Sequence, residues 1–170
     1  MTPKRTATRG KPAKGKAARR ILSPRGKTSK TTLSPKGRGQ GEGTRGEGTR
    51  SLTVWQGRVP LRVHVKGTGP AVVYFHGPWG LTWGPFLDGL ARRFTVYAPE
   101  HPGTAVGEPD AIQHVDNLWD LVLCYDELLA QLGLREVRLA GHSFGAMVAC
   151  EVAALHPARV KRLVLIDPIG

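Results

Sequence analysis

Cysteine is scarce in this sequence: Cys124 and Cys150 are the only two, and they form neither a CxxC nor any metal-ligand spacing. A disulfide scaffold and a zinc-finger type of site are thereby excluded, and no metal is expected. Both thiols fall within helical apolar patterns, as buried free cysteines of a reducing compartment do. No apolar run approaches the roughly 18 residues of a membrane span. The N-terminus also lacks the apolar core of a secretory signal. The expectation is a soluble, cytoplasmic protein.

Acidic residues are nearly missing from the first fifty positions. Residues 1–50 hold 15 of the 25 Lys and Arg but only Glu42 and Glu47, a net charge of +13. Residues 51–170 carry 10 basic and 11 acidic residues, so the high pI belongs to the first fifty. Large apolar residues are also few there, with Ile21, Leu22 and Leu33 nearly alone. LSPRG at 22–26 returns as LSPKG at 33–37, and GEGTR at 41–45 is repeated at 46–50. Such a segment cannot bury enough surface to offset its ordering entropy, so 1–50 is expected to be a disordered, low-complexity basic tail. Three readings of it stand side by side. It is an arm that binds nucleic acid or anionic lipid non-specifically, a solvated tail of no consequence, or the translation of a dispersed DNA repeat. No aromatics are interleaved to stack on bases, which argues against a dedicated single-strand binder.

Order is expected from Ser51 to Gly170. Leu52–Gln56 and Leu61–Lys66 alternate apolar and polar residues about GRVP, which predicts an antiparallel pair. AVVYF at 71–75 is apolar on both faces, as in a central parallel strand covered by helices. Phe94–Ala98, Val137–Ala140 and Leu163–Ile166 are similar. Helical periodicity spans 117–132, with Asp116 placed to cap its start. Further helices are predicted over Phe144–His156, stopped by Pro157, and over Trp83–Arg93. Strands alternating with helices make an α/β fold with a mostly parallel sheet.

Within this pattern, GHSFG at 141–145 sets Ser143 between two glycines where a buried strand gives way to a helix. Five serines and 22 glycines in 170 residues would produce about 0.08 chance matches to Gly-x-Ser-x-Gly. The context adds weight. A sharp strand-to-helix turn lifts a hydroxyl above the sheet, and the flanking glycines let strand and helix approach. The helix N-terminal amides then point at the space where an oxyanion would develop. A serine that merely caps a helix would explain Ser143 but neither glycine. A second motif, HGPWG at 76–80, directly follows AVVYF.

Together these motifs and the strand order resemble the α/β-hydrolase fold family over residues 51–170, in a partial form holding strands one to six of eight. The resemblance implies a serine hydrolase acting on a small ester or similar acyl substrate, with Ser143 as nucleophile and no cofactor. It implies Phe144 N–H as one oxyanion donor. The usual second donor falls at Pro78, which has no N–H, so Trp79 N–H is the substitute if the loop shifts by one residue. His76 is expected to hydrogen-bond within its own loop.

The base and the acid are harder to place. The family's order is Ser, then Asp or Glu, then His. His156 lies at the far end of the helix that Ser143 opens, about 18 Å away. His142 is pinned by the bend, and His64 and His114 belong to the hairpin and a loop. His101 is expected in a surface loop, with lining the pocket as the alternative. Asp167 is the candidate acid, although Asp before Pro is more often a turn residue. The expectation is therefore an N-terminal portion of a hydrolase with an incomplete triad, inactive by itself. The alternative is a non-catalytic fragment or interaction module. The last strand should have an unpaired outer edge and partly covered faces.

Overall fold

A computed structural model describes residues 47–170. Residues 1–46 of the expected tail, with the LSPRG and LSPKG pair, the first GEGTR copy and most of the charge, lie outside these residues. The sheet starts with β1 (Gly48–Val54), ahead of the expected onset at Ser51, so Gly48–Arg50 belong to a strand and not to the tail. Their backbone is claimed by β2 (Val59–Lys66), with Gly48 opposite Val65 and Leu52 opposite Leu61. The strand ends at Val54, short of the expected Gln56. Trp55, Gln56 and Gly57 all take positive φ to reverse the chain, and the Trp55 N–H is held by Glu127 Oε2 at 2.7 Å.

The remaining strands are β3 (Ala71–Phe75), β4 (Thr95–Pro99), β5 (Val137–His142) and β6 (Val160–Ile166). They form one sheet in the order β1-β2-β4-β3-β5-β6. The β1–β2 and β2–β4 pairs are antiparallel, whereas β4, β3, β5 and β6 run parallel. Helix α1 (Pro85–Ala91) follows β3, α2 (Leu118–Gln131) follows β4, and α3 (Phe144–Leu155) follows β5. The α1 and α3 crossovers lead to the adjacent parallel strand, whereas the α2 crossover carries the chain past β3 to β5, which leaves β3 in the interior of the sheet.

One face of the sheet packs on α2 and α3, with Phe75, Leu121, Tyr125, Leu128, Leu139 and Val148 in its core. A smaller cluster of Leu87, Val96 and Ala98 lies under α1. The α2 cap is Asn117, one residue after the expected Asp116. Its side chain accepts from Trp119 N and Asp120 N, while Asp120 is the residue that binds Asp116 N–H. Cys124 is buried as expected, but Cys150, on α3, is only partly so. Among the described residues β6 pairs with β5 alone, and Val164 is 53% exposed. The edge expected to be unpaired is so. No helix among the described residues is long and apolar enough to cross a membrane.

Candidate functional site

The bend after β5 is built as its glycines suggest. Ser143 has φ 53° and ψ −119°, left-handed backbone that a residue with a Cβ adopts only under constraint. The constraint is visible. The Ser143 N–H donates to the Ile166 carbonyl at the end of β6, at 2.9 Å, and the Ser143 carbonyl accepts from Ala146 and Met147 N–H. A Cβ on Gly141 would lie 2.3 Å from the Gly145 carbonyl oxygen, and one on Gly145 would lie 2.3 Å from that of Phe75. Strand and helix are therefore in backbone contact, and no side chain fits between them. The Ser143 side chain makes no capping hydrogen bond, so helix capping does not account for it.

Ser143 opens on a cavity of about 360 Å³ whose lining includes Tyr74, Trp79, Thr82, His142 and Asp167. Ser143, Trp79 and Asp167, widely spaced in sequence, thus meet at one hollow. Phe144 stands to one side: its ring lines a neighbouring pocket of about 210 Å³ together with Pro78 and His101. Neither Phe144 N–H nor Trp79 N–H has a backbone acceptor among the described residues. Trp79 is 97% exposed at the rim. Asp167 is exposed too and holds φ 50°, a turn conformation at the end of β6. A larger cleft of about 460 Å³ around Lys66, Asp88 and Arg92 lies elsewhere and contains no comparable nucleophile.

His101 corrects the sequence expectation. It is 4% exposed and not in a surface loop. Its Nε2–H donates to the His76 carbonyl at 2.8 Å, its backbone N–H donates to His76 Nε2 at 3.0 Å, and its Nδ1 accepts from the Tyr125 hydroxyl. Burial holds the His101 imidazole at a pKa of about 3, far below the ordinary histidine value. His76 is likewise lowered by burial, and its Nδ1–H donates to the Gly77 carbonyl at 2.6 Å, the contact within its own loop that was expected. Each ring has one nitrogen facing a carbonyl and the other facing a donor, so both tautomers are set and both rings are neutral. Tyr125 is fully buried, and desolvation raises its hydroxyl well above the ordinary tyrosine value. In the sequence Tyr125 falls on the apolar stripe of α2. A hydroxyl inside such a stripe needs a partner, and that need was the available signal.

The other histidines are engaged away from the serine or stand in solvent. His64 Nε2 meets Glu100 Oε1 at 2.7 Å, and His156 Nδ1 meets Asp126 Oδ1 at 3.4 Å at the far end of α3. His114 lies in an exposed 3₁₀ turn, and His142 lines the cavity beside Ser143 with an exposed side chain. Among the described residues no group of His, Cys, Asp and Glu could hold a metal ion.

Comparison with known proteins agrees with this architecture. A family profile for the alpha/beta hydrolase fold matches residues 70–170. A cis-3-alkyl-4-alkyloxetan-2-one decarboxylase of Xanthomonas campestris is 36% identical over 57% of this chain and 35% of its own length. A pimeloyl-[acyl-carrier protein] methyl ester esterase of Chromobacterium violaceum is 36% identical over 62% of this chain and 40% of its own. The solved structure of an epoxide hydrolase from Vigna radiata superposes with a TM-score of 0.62 at 28% identity, covering 70% of this chain and 37% of that one. The chain thus spans less than half the length of these relatives. The family profile extends over more than half of the 170 residues, and it takes in β3, the serine bend and β6 in the order the sheet displays; the chain belongs to the alpha/beta hydrolase fold family.

Proposed function

We propose that the chain carries the nucleophile of a serine hydrolase for small ester or similar acyl substrates. Ser143 Oγ attacks the acyl carbon, the carbonyl oxygen takes up negative charge, and the alcohol or other leaving group departs to give an acyl-serine. Phe144 N–H and Trp79 N–H are the proposed donors to that oxygen. The observation that carries the reading is the backbone of Ser143: a strained bend that leaves the hydroxyl uncapped over a cavity. Similarity to an esterase supports the choice of acyl chemistry. Asp167 shares the cavity and is the candidate carboxylate for orienting a base.

The serine proton needs an acceptor. The buried imidazoles of His76 and His101 are committed to other partners, His64 and His156 are bound to carboxylates, and His142 lines the cavity with no hydrogen bond to Ser143 among the described residues. Turnover by this chain alone is therefore expected to be about a million-fold below that of a complete triad. A fluorophosphonate probe, given with excess imidazole as an external general base, should modify Ser143 slowly and leave Ser143→Ala untouched. Equal labelling of the two proteins would end this reading. Turnover within a few hundred-fold of an ordinary esterase would show that a base had been overlooked.

A second reading, a non-catalytic interaction module, draws on the open edge of β6 and its exposed Leu163, Val164 and Leu165. Concentration-dependent association in light scattering, with no labelling of Ser143, would favour it. A nucleic-acid role for the basic residues 1–50 predicts retention on DNA that falls steeply with salt.

A further inference from the structure

We propose that His101 and Tyr125 are positioning residues for the loop His76–Gly80, holding it so that Trp79 N–H supplies the oxyanion contact that Pro78 cannot. The proposal rests on the reading of Ser143 as nucleophile and deepens it.

The restraint passes along the covalent chain. His101 grips His76 at two points, the carbonyl through its Nε2–H and the ring through its backbone N–H, with the rings 4.0 Å apart. The His76 ring cannot turn, so its Nδ1–H stays on the Gly77 carbonyl. That bond orients the planar peptide joining Gly77 to Pro78. The pyrrolidine ring then sets φ of Pro78. Only ψ of Pro78 is left to aim the Trp79 N–H, which has no backbone acceptor of its own. Tyr125 closes the series from below. Its hydroxyl bonds His101 Nδ1, and its ring packs on Phe75 at 4.2 Å. All three side chains are buried, so water does not compete for these bonds.

The loop also abuts the serine directly. A Cβ on Gly77 would lie 3.3 Å from His142 Nδ1 and 3.7 Å from Ser143 Cβ. A small shift of the loop is therefore felt at the hydroxyl. A histidine present only to fill the core would need no such series of bonds, because an apolar side chain would fill the same space without two buried ring nitrogens to satisfy.

The test uses the full chain and four proteins: wild type, Tyr125→Phe, His101→Leu and His101→Gln. Two quantities are measured, the rate of fluorophosphonate labelling at Ser143 with imidazole added as base, and the hydrogen exchange of the residue 101 amide, whose N–H is bonded to the His76 ring. Tyr125→Phe removes one oxygen and is expected to remain folded. Losing the alignment of one donor should slow labelling by about tenfold in Tyr125→Phe and His101→Leu, less than the 100-fold or more for losing a donor outright. Exchange at the residue 101 amide should quicken by about tenfold, with the β5 amides unchanged. His101→Gln keeps an N–H for the His76 carbonyl and should recover labelling to within about threefold of wild type. Wild-type labelling and wild-type exchange at residue 101 in a folded Tyr125→Phe protein would overturn the proposal. If wild type is not labelled at Ser143 even with imidazole, the nucleophile reading fails, and exchange at residue 101 still decides whether His101 and Tyr125 grip His76.

Discussion

Replacing Ser143 with glycine should raise the stability of this protein while abolishing its labelling. At φ 53° and ψ −119° a residue bearing a Cβ is strained, at a cost of about 1–3 kcal/mol. Glycine adopts this conformation freely, but it gives the unfolded chain more freedom, worth roughly 0.5–1 kcal/mol in the opposite direction. The serine hydroxyl makes no capping bond, so little else is lost. The net gain is on the order of 0.5–2 kcal/mol, or roughly 2–8 °C in Tm for an ordered domain of this size. Ser143→Ala is the control, because it deletes the hydroxyl and keeps the strain; it should lie within about 0.5 kcal/mol of wild type. Urea unfolding followed by far-UV circular dichroism gives both differences, and an unchanged m value would show that the surface exposed on unfolding is the same in the three proteins. A Ser143→Gly protein no more stable than Ser143→Ala would refute the claim that the bend stores strain.

Gly145→Ala should cost about 2–3 kcal/mol in the same assay, because its Cβ would lie 2.3 and 2.4 Å from the Phe75 and His76 carbonyl oxygens, backbone atoms that cannot swing aside. Gly89→Ala, in α1 with nothing within 4 Å of the new Cβ, should instead gain roughly 0.5–1 kcal/mol. Stability should also fall with acid through His101. Its folded pKa of about 3 lies below the unfolded value of 6.5, so the unfolded chain binds the extra proton between them. This contribution is fully present above pH 6.5 and is lost as pH falls toward 3. It amounts to on the order of 3 kcal/mol by pH 4, and unfolding titrations of a folded His101→Gln protein should show a shallower slope across that range. On the outer part of the sheet, Val164→Lys should reduce concentration-dependent association measured by light scattering, with a change in stability of no more than about 0.5 kcal/mol, because Val164 is half exposed on an edge strand.

Much of the architecture could be read from residue order because its causes are local. AVVYF is apolar on both faces since β3 is covered from both sides, and the three-and-four spacing of Leu121, Tyr125, Leu128 and Leu129 records the one face that α2 buries. GHSFG was legible for the same kind of reason. Two missing side chains next to a serine are a backbone requirement, and backbone requirements are written at the position where they act. Strand and helix ends were less legible. Trp55 leaves β1 because Glu127, 72 residues later, takes its N–H, and no nearby residue announces that contact.

What residue order alone determined is the sequence of strands and helices and the tight bend at Ser143, because short-range sterics and apolar periodicity settle both. What only the tertiary structure decided is which polar groups meet. His101, in a loop rich in Pro and Gly, has the composition of a surface residue, yet it is buried because Tyr125 and His76, 24 and 25 residues away, satisfy its nitrogens. Asp167 and Trp79 come to the same hollow as Ser143 because β6 and β3 flank β5 in the sheet. A buried polar atom is tolerated only where a distant partner arrives, and that arrival is a property of the folded whole.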